Sequence, residues 1–552
     1  MAALILFEKT RFLSRHLPSL RSRAVNVFSK ICISLRSILI GRNLVLIMSL
    51  GLFVLPLTMT SYVRIGSDGP FGLNAGNRDT PFKGEEWYDQ IETVRVNREE
   101  ARAFFIPYQD YKTALTNEDS AFTRDFTRSE YYLSLNGLWK FKVVNRPIER
   151  IDKFWDPVGF DTGDWDEIPV PSNWQTIRSA DGSLKYDSPI YTNTNYPWNN
   201  FGGSINMANP VTAPTAFNPV GHYRRTFTLP DFWEERRVFI SFQGVESAFY
   251  LWINGHKVGY AEDSYTPSEF DITKYLRKGE NTIAVQVYRW SLGSYLENQD
   301  MIRLSGIFRD VFLFSKDTVE LRDFFITPSL EDGLSKGTLN LEVTVRNFST
   351  RAGQYTVEAT LKNMNDTNAW VNGPLVLPVA VESANSFGPS SKTVRGFKAV
   401  AAPRLWFAET PNLYKLLIQL RAPSGEILET AVARLGFRKL NRVWVPGDTN
   451  HQMLLINGKR LMVRGVNRHE ISLTNGRAIT KDEIIQDLLN MKRNNINAIR
   501  TSHYPNNVLT YDLADELGLY ICAEANVESH DGAGQNEAEN RIPGTNPLWL
   551  NS

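Results

Sequence analysis

Short apolar or alternating runs, each closed by turn residues, fill the chain from Tyr131 to about Lys316: LNGLWKFKV, RVFISFQGV, FYLWINGHKVGY, NTIAVQVYRW and RDVFLFS. Period-two alternation at this length predicts strands, and so many in succession predict an all-β domain over residues 131–318. Asn254-Gly255, between FYLWI and KVGY, predicts a two-residue hairpin, because a type I′ turn needs positive φ at both central positions. The alternation returns in LNLEVTVRNF, YTVEATLKN and YKLLIQLRA, which predicts a second sandwich of immunoglobulin-like size over residues 319–440, with no chemistry visible in it.

After Asn441 the period changes. MLLINGKRLMVRGVN reads as a hairpin around Asn457-Gly458 feeding a strand, and Thr480 with Glu483 forms a capping box that opens a helix. Ile484, Ile485, Leu488, Leu489 and Met491 fall on one face of that helix. A second strand is expected at residues 495–500, a helix at about 507–517 stopped by Gly518, and a third strand at 519–525. Strand-helix alternation of this kind opens a parallel α/β domain, here residues 441–552.

The N-terminus is of another kind. Residues 1–66 hold nine basic side chains and one acid, Glu8. Residues 1–43 read as a basic leader, and 44–63 as a hydrophobic segment long enough to cross a bilayer core of about 30 Å. Residues 64–130 read as an extended N-terminal segment. A signal anchor, a long-headed signal peptide, an organelle transit peptide and a misplaced start upstream of Met48 all fit this composition, the anchor best because no small-x-small cleavage site follows. A genuine leader implies an anchored or exported protein, a spurious one a cytoplasmic protein.

Length adds that 552 residues make three to four globular units. Lys+Arg 61 against Asp+Glu 60 leaves +1, which gives no field to gather nucleic acid. Cys32 and Cys522 are the only cysteines, too few and too far apart in context for a disulfide framework.

In barrels of parallel strands the chemistry lies at the carboxyl ends of the strands. The polar residues there are Asn467, Arg468, His469 and Glu470 after the first strand; Arg500, Ser502, His503 and Tyr504 after the second; and Glu524, Asn526, Glu528 and His530 after the third. Glu528 and His530, two apart, share a side in extended chain, and a carboxylate with an imidazole suits a divalent ion; a solvated loop pair gives the same spacing.

These residues sit in longer motifs: SPIYTNTNYP, YLWINGHKVGYAEDSYTPSEFDIT, RWSLGSYLENQDMIRLSGIFRDV, LLINGKRLMVRGVNRHE, NMKRNNINAIRTSHYPN and GLYICAEANVESHD. Over roughly Trp87 to Leu550 the chain resembles the large bacterial-type β-galactosidases of glycoside hydrolase family 2. The resemblance implies a jelly-roll sugar-binding β-sandwich, an immunoglobulin-like β-sandwich and an incomplete (β/α)8 TIM barrel with its first three strands. It also implies retaining hydrolysis of terminal β-D-galactosides such as lactose. Asn193 of the YTN motif and Asp263 of GY-x-x-DS then contact galactose, and Asp263 also binds sodium. His469 and His503 contact galactose and support the transition state, while Glu528 and His530 hold magnesium. Family members are often homotetramers.

Retaining hydrolysis takes two carboxyls about 5 Å apart, and the family carries both, the acid/base and the nucleophile, on later strands than these three. Glu470, Glu524 and Glu528 occupy motif positions with other roles. The expectation is therefore a chain that is inactive alone and whose residues 441–552, open at a strand edge, aggregate or stay disordered in isolation. A noncatalytic carbohydrate-binding or complementing subunit, and a β-glucuronidase-type hydrolase, are the alternatives.

Overall fold

The computed structural model describes residues 86–90, 93–192, 212–364 and 370–528. The leader 1–43, the hydrophobic segment 44–63, the opening of the 64–130 segment, Asn193 and His530 lie outside the described residues. Among the described residues no helix is long and apolar enough to cross a membrane. Within the 64–130 segment a helix, α1 (Tyr111–Asn117), starts on Asp110, whose carboxylate accepts from the Lys112 and Thr113 backbone N–H groups at 2.8 and 2.9 Å.

The first β domain is built on β1 (Gly137–Val144), β2 (Val220–Thr228), β3 (Arg237–Phe242), β4 (Ala248–Ile253), β5 (His256–Ala261), β6 (Glu280–Tyr288) and β7 (Val311–Lys316). One sheet runs Arg95–Val96, β5, β4, β6, β2, β1, Asp166–Val170, and the facing sheet runs Ser268–Asp271, β3, β7, Tyr132–Ser134. Inward side chains of the two sheets, including Trp139, Phe141, Ile240, Phe242, Leu251, Val285 and Leu313, form one core. Each such side chain contributes roughly 1.5–3 kcal/mol by leaving water. The β4–β5 hairpin turns at Asn254 (φ 50°) and Gly255 (φ 84°), so both central residues hold the positive φ that the dipeptide predicts.

The second sandwich packs the sheet β8 (Val319–Leu330), β9 (Lys336–Asn347), β12 (Ser390–Ala401) on the sheet β11 (Trp370–Val381), β10 (Gly353–Asn363), β13 (Tyr414–Arg421), β14 (Ile427–Leu435). All pairings are antiparallel, and Val343, Val345, Val357, Leu416 and Ile418 lie in its core.

Beyond it, β15 (Gln452–Ile456) turns through Asn457 (φ 47°) and Gly458 (φ 76°) into a short return strand. Three parallel strands follow, β16 (Gly465–Arg468), β17 (Ala498–Thr501) and β18 (Tyr520–Cys522), joined by α2 (Lys481–Arg493) and α3 (Val508–Leu517). The capping box forms as read: Thr480 Oγ1 accepts from Glu483 N–H at 3.2 Å, and Glu483 Oε2 accepts from Thr480 N–H at 2.8 Å. Gly518 ends α3 at φ 74°, and a Cβ there would stand 2.1 Å from the Ala408 carbonyl oxygen. Ile484, Leu488, Ile499, Leu513 and Leu519 join helices to strands in a small core. The third strand is shorter than its apolar run, because the chain after Cys522 leaves the ladder to enter the site.

Candidate functional site

The carboxyl ends of β16, β17 and β18 bring His469, His503 and Glu524 together. The two imidazoles stand edge to face, with ring centres 5.6 Å apart. Glu524 Oε2 accepts from His503 Nδ1 at 2.8 Å, and Glu524 Oε1 accepts from Arg500 Nε. Burial raises the Glu524 pKa, but the His503 and Arg500 hydrogen bonds outweigh it and hold the carboxyl below its usual range. Partial burial, then the Arg477 and His503 charges, lowers the His469 pKa as well, which for an imidazole favours the neutral ring.

Glu470, read from sequence as a strand-end polar residue, is a structural carboxylate. It is 2% exposed and accepts from the backbone N–H of Asn507 at 2.9 Å, from Thr510 Oγ1 at 3.1 Å and from Arg309 Nη2 at 2.8 Å. Arg309 belongs to the first β domain and also donates to the Pro505 carbonyl at 2.8 Å, so one guanidinium ties the sandwich to the second strand's loop.

A second tie comes from the loop that carries Asp263. Asp263 takes the left-handed conformation (φ 76°), which Asp tolerates better than most residues, and accepts from Thr266 Oγ1. Tyr265 beside it stacks on Tyr504 at 4.1 Å. The buried Glu297 accepts from the N–H and hydroxyl of Ser264 at 2.9 and 2.7 Å, and burial, with the Asp263 charge added, pushes its pKa up to about 8. At neutral pH the Glu297 carboxyl is therefore mostly protonated and adds little negative charge beside Asp263.

A third tie shapes the end of β18. Glu528 N–H donates to the Leu296 carbonyl at 2.8 Å, and Asn298 N–H donates to the Glu528 carbonyl at 3.0 Å. Gln299 Nε2 donates to Asn526 Oδ1 at 3.1 Å and to the His503 carbonyl at 3.3 Å. Residues 296–299 of the β domain therefore line one side of the strand ends. Among the described residues no three His, Cys, Asp or Glu side chains cluster as a metal site.

Sequence reasoning missed Arg477. Its guanidinium is 2% exposed and lies over the rings of Tyr504 (4.6 Å) and Tyr265 (5.3 Å). No local pattern marks it, since an Arg after Gly in a polar loop reads as solvated. Arg309, which follows Phe308, was missed because its partners Glu470 and Pro505 lie far away in sequence.

Three stretches match glycosyl hydrolases family 2: the sugar binding domain at residues 132–317, the middle domain at 319–438 and the TIM barrel domain at 448–552. Among curated proteins, a β-galactosidase of Priestia megaterium is 42% identical over 84% of this chain and 42% of its own length. Those of Psychromonas ingrahamii and Clostridium acetobutylicum are 36% and 37% identical, over 85% and 84% of this chain and 41% and 47% of their own lengths. The chain thus spans less than half the length of these relatives. Among solved structures, a Bacteroides uniformis β-glucuronidase aligns with TM-score 0.58 at 23% identity, over 72% of this chain and 42% of that one. A Bacteroides vulgatus β-glycosidase aligns with TM-score 0.53 at 24% identity, over 71% and 44%. At such identity these two speak for the fold.

Proposed function

The chain belongs to glycoside hydrolase family 2, and we propose that it serves the retaining hydrolysis of terminal β-D-galactosides, supplying the part of the site that grips the sugar. The observation that carries this reading is the pairing of His469 and His503 at the ends of adjacent parallel strands, walled by the β domain. The curated relatives' name, β-galactosidase, supports the substrate.

The reacting carboxyls are a separate matter. A retaining enzyme needs one carboxyl to protonate the leaving oxygen and one to attack the anomeric carbon. Glu470 and Glu524 are committed to Arg309 and the α3 terminus, and to Arg500 and His503. We assign neither to the reaction, and place the reacting pair on later barrel strands. Asn193 and Asp263 are assigned to sugar contact on their motifs.

Sodium at Asp263 rests on the GY-x-x-DS motif, a carboxylate oxygen being a donor that suits a hard cation. Magnesium at Glu528 and His530 rests on the sequence motif, of which the described residues include Glu528 alone. A bound divalent ion supplies fixed positive charge; Glu528 would hold it through a carboxylate oxygen. Magnesium should raise the melting temperature of the chain, and E528Q should abolish that rise; an equal rise in both proteins would remove Glu528 from the ligand set. Membrane attachment through residues 44–63 and assembly as a homotetramer belong to the same reading, on leader composition and family resemblance.

A chromogenic β-galactoside assay of the purified chain, alone and mixed with a polypeptide carrying the remaining barrel strands of a related β-galactosidase, tests the proposal. Turnover confined to the mixture, and greater for the galactoside than for the matching β-glucuronide, is expected. Turnover by the chain alone would refute the division of labour. A preference for the glucuronide would move the substrate to that class.

A further inference from the structure

The two strand-end histidines are held by neighbours of opposite hydrogen-bonding character. The phenolic oxygen of Tyr504 accepts from Arg477 Nη1 and from the backbone N–H of Glu470 at 3.1 Å. A guanidinium and an amide N–H only donate, so neither can take the hydroxyl hydrogen. Among the described residues the acceptor left for it is His469 Nδ1, at 3.4 Å. A ring nitrogen that accepts carries no hydrogen, which places the hydrogen of the neutral ring on Nε2.

His503 meets the reverse arrangement. Its Nδ1 faces Glu524 Oε2 at 2.8 Å, and an ionised carboxylate only accepts. Nδ1 therefore carries the hydrogen, and Nε2 of the neutral ring is bare.

Arg477 cannot swing away from this arrangement. Its Nη2 donates to the Ile302 carbonyl at 3.0 Å and to Met301 Sδ at 2.8 Å, and its backbone N–H donates to Asn173 Oδ1 at 2.7 Å. All three partners belong to the first β domain, so that domain sets the hydrogen-bonding state of a side chain on the barrel.

We propose that Arg477 and Tyr504 are positioning residues that hold His469 as an Nε2–H donor, while Glu524 holds His503 as an Nε2 acceptor. The pair is thereby matched to an uncharged sugar hydroxyl, which both donates and accepts, and not to a sugar carboxylate, which only accepts. The ligand half of this proposal rests on the sugar-site reading above; the tautomer half does not.

Nitrogen-15 NMR of the histidine-labelled 552-residue chain tests both halves. Spectra are taken at about pH 8, above the ordinary histidine range, with signals assigned through H469Q and H503Q. Opposite tautomers are expected in the unsubstituted chain. In Y504F the Nε2–H to Nδ1–H ratio of His469 should fall by up to roughly tenfold, the factor one ordinary hydrogen bond supplies. In E524Q, whose amide both donates and accepts, His503 should lose its single tautomer. Like tautomers at the start, or a His469 ratio unmoved in Y504F, would overturn the tautomer half. Should Y504F fail to fold, the unsubstituted chain and E524Q still decide. Titration with a thio-β-galactoside separates the two halves. Shifts centred on these two rings support the ligand half, whereas none, with opposite tautomers intact, would overturn that half together with the sugar-site reading. Wrong tautomers with galactoside shifts present would overturn this proposal and leave the sugar-site reading standing.

Discussion

His222 on β2 is fully buried, with Nδ1 donating to the Lys142 carbonyl (3.3 Å) and Nε2 accepting from Ile151 N–H (3.3 Å) and Gln286 Nε2 (3.1 Å). Both nitrogens are satisfied by the neutral ring. Burial, with the Arg150 charge in the same direction, pushes its pKa down to about 3, against about 6.5 in an unfolded chain. Between these values the unfolded state binds a proton that the folded state refuses. The contribution is thus complete above about pH 6.5 and is lost as pH falls toward 3, on the order of 4 kcal/mol in all. Urea denaturation at pH 7 and pH 4.5 should show a larger loss for the unsubstituted chain than for H222Q; equal losses would assign acid sensitivity elsewhere. At this scale the sequence was legible where one residue answers to its own backbone. Asn254-Gly255 and Asn457-Gly458 announce their turns because few other dipeptides accept positive φ twice. Arg477 stayed silent because its role depends on Met301, Ile302 and Tyr504, which are distant in sequence.

For elements, the same contrast holds. Helix α2 was readable to its first residue, since the Thr480–Glu483 box is local and its apolar stripe has the helical period. T480A removes the acceptor for Glu483 N–H and should destabilise the barrel segment by about 1 kcal/mol, seen as a lower midpoint in a thermal melt with activity-independent detection. No change would mean that α2 is held by packing alone. Strand β18 was read too long, through residue 525, because apolar character continues past Cys522 while the backbone leaves the ladder: Glu524 N–H donates to the side chain of Thr501 on β17, and Glu528 pairs with residues 296 and 298 of the first β domain. Periodicity records burial, not the identity of the partner.

For the molecule as a whole, the sandwiches and the parallel strands meet through buried charge. Arg309 and Glu470 are 5% and 2% exposed and pair at 2.8 Å. R309M keeps the side chain's bulk and strands a buried carboxylate, so a loss of about 3 kcal/mol is expected. Limited proteolysis should then cut residues 441–528 before the two sandwiches; simultaneous cutting would show that this pair does not govern their union. The three-part architecture followed from changes of period along the chain. The site needed more, because residues 296–299 on one side of it come from a domain that ends more than a hundred residues before the first barrel strand.

The two backbone hydrogen bonds between Glu528 and residues 296 and 298 carry a lesson for anyone recombining such proteins. A chimera that inherits the stretch around 526–528 from one parent and 296–299 from another must re-register both segments at once. Crossovers drawn at domain borders will separate them, and parents should exchange the two stretches as one unit.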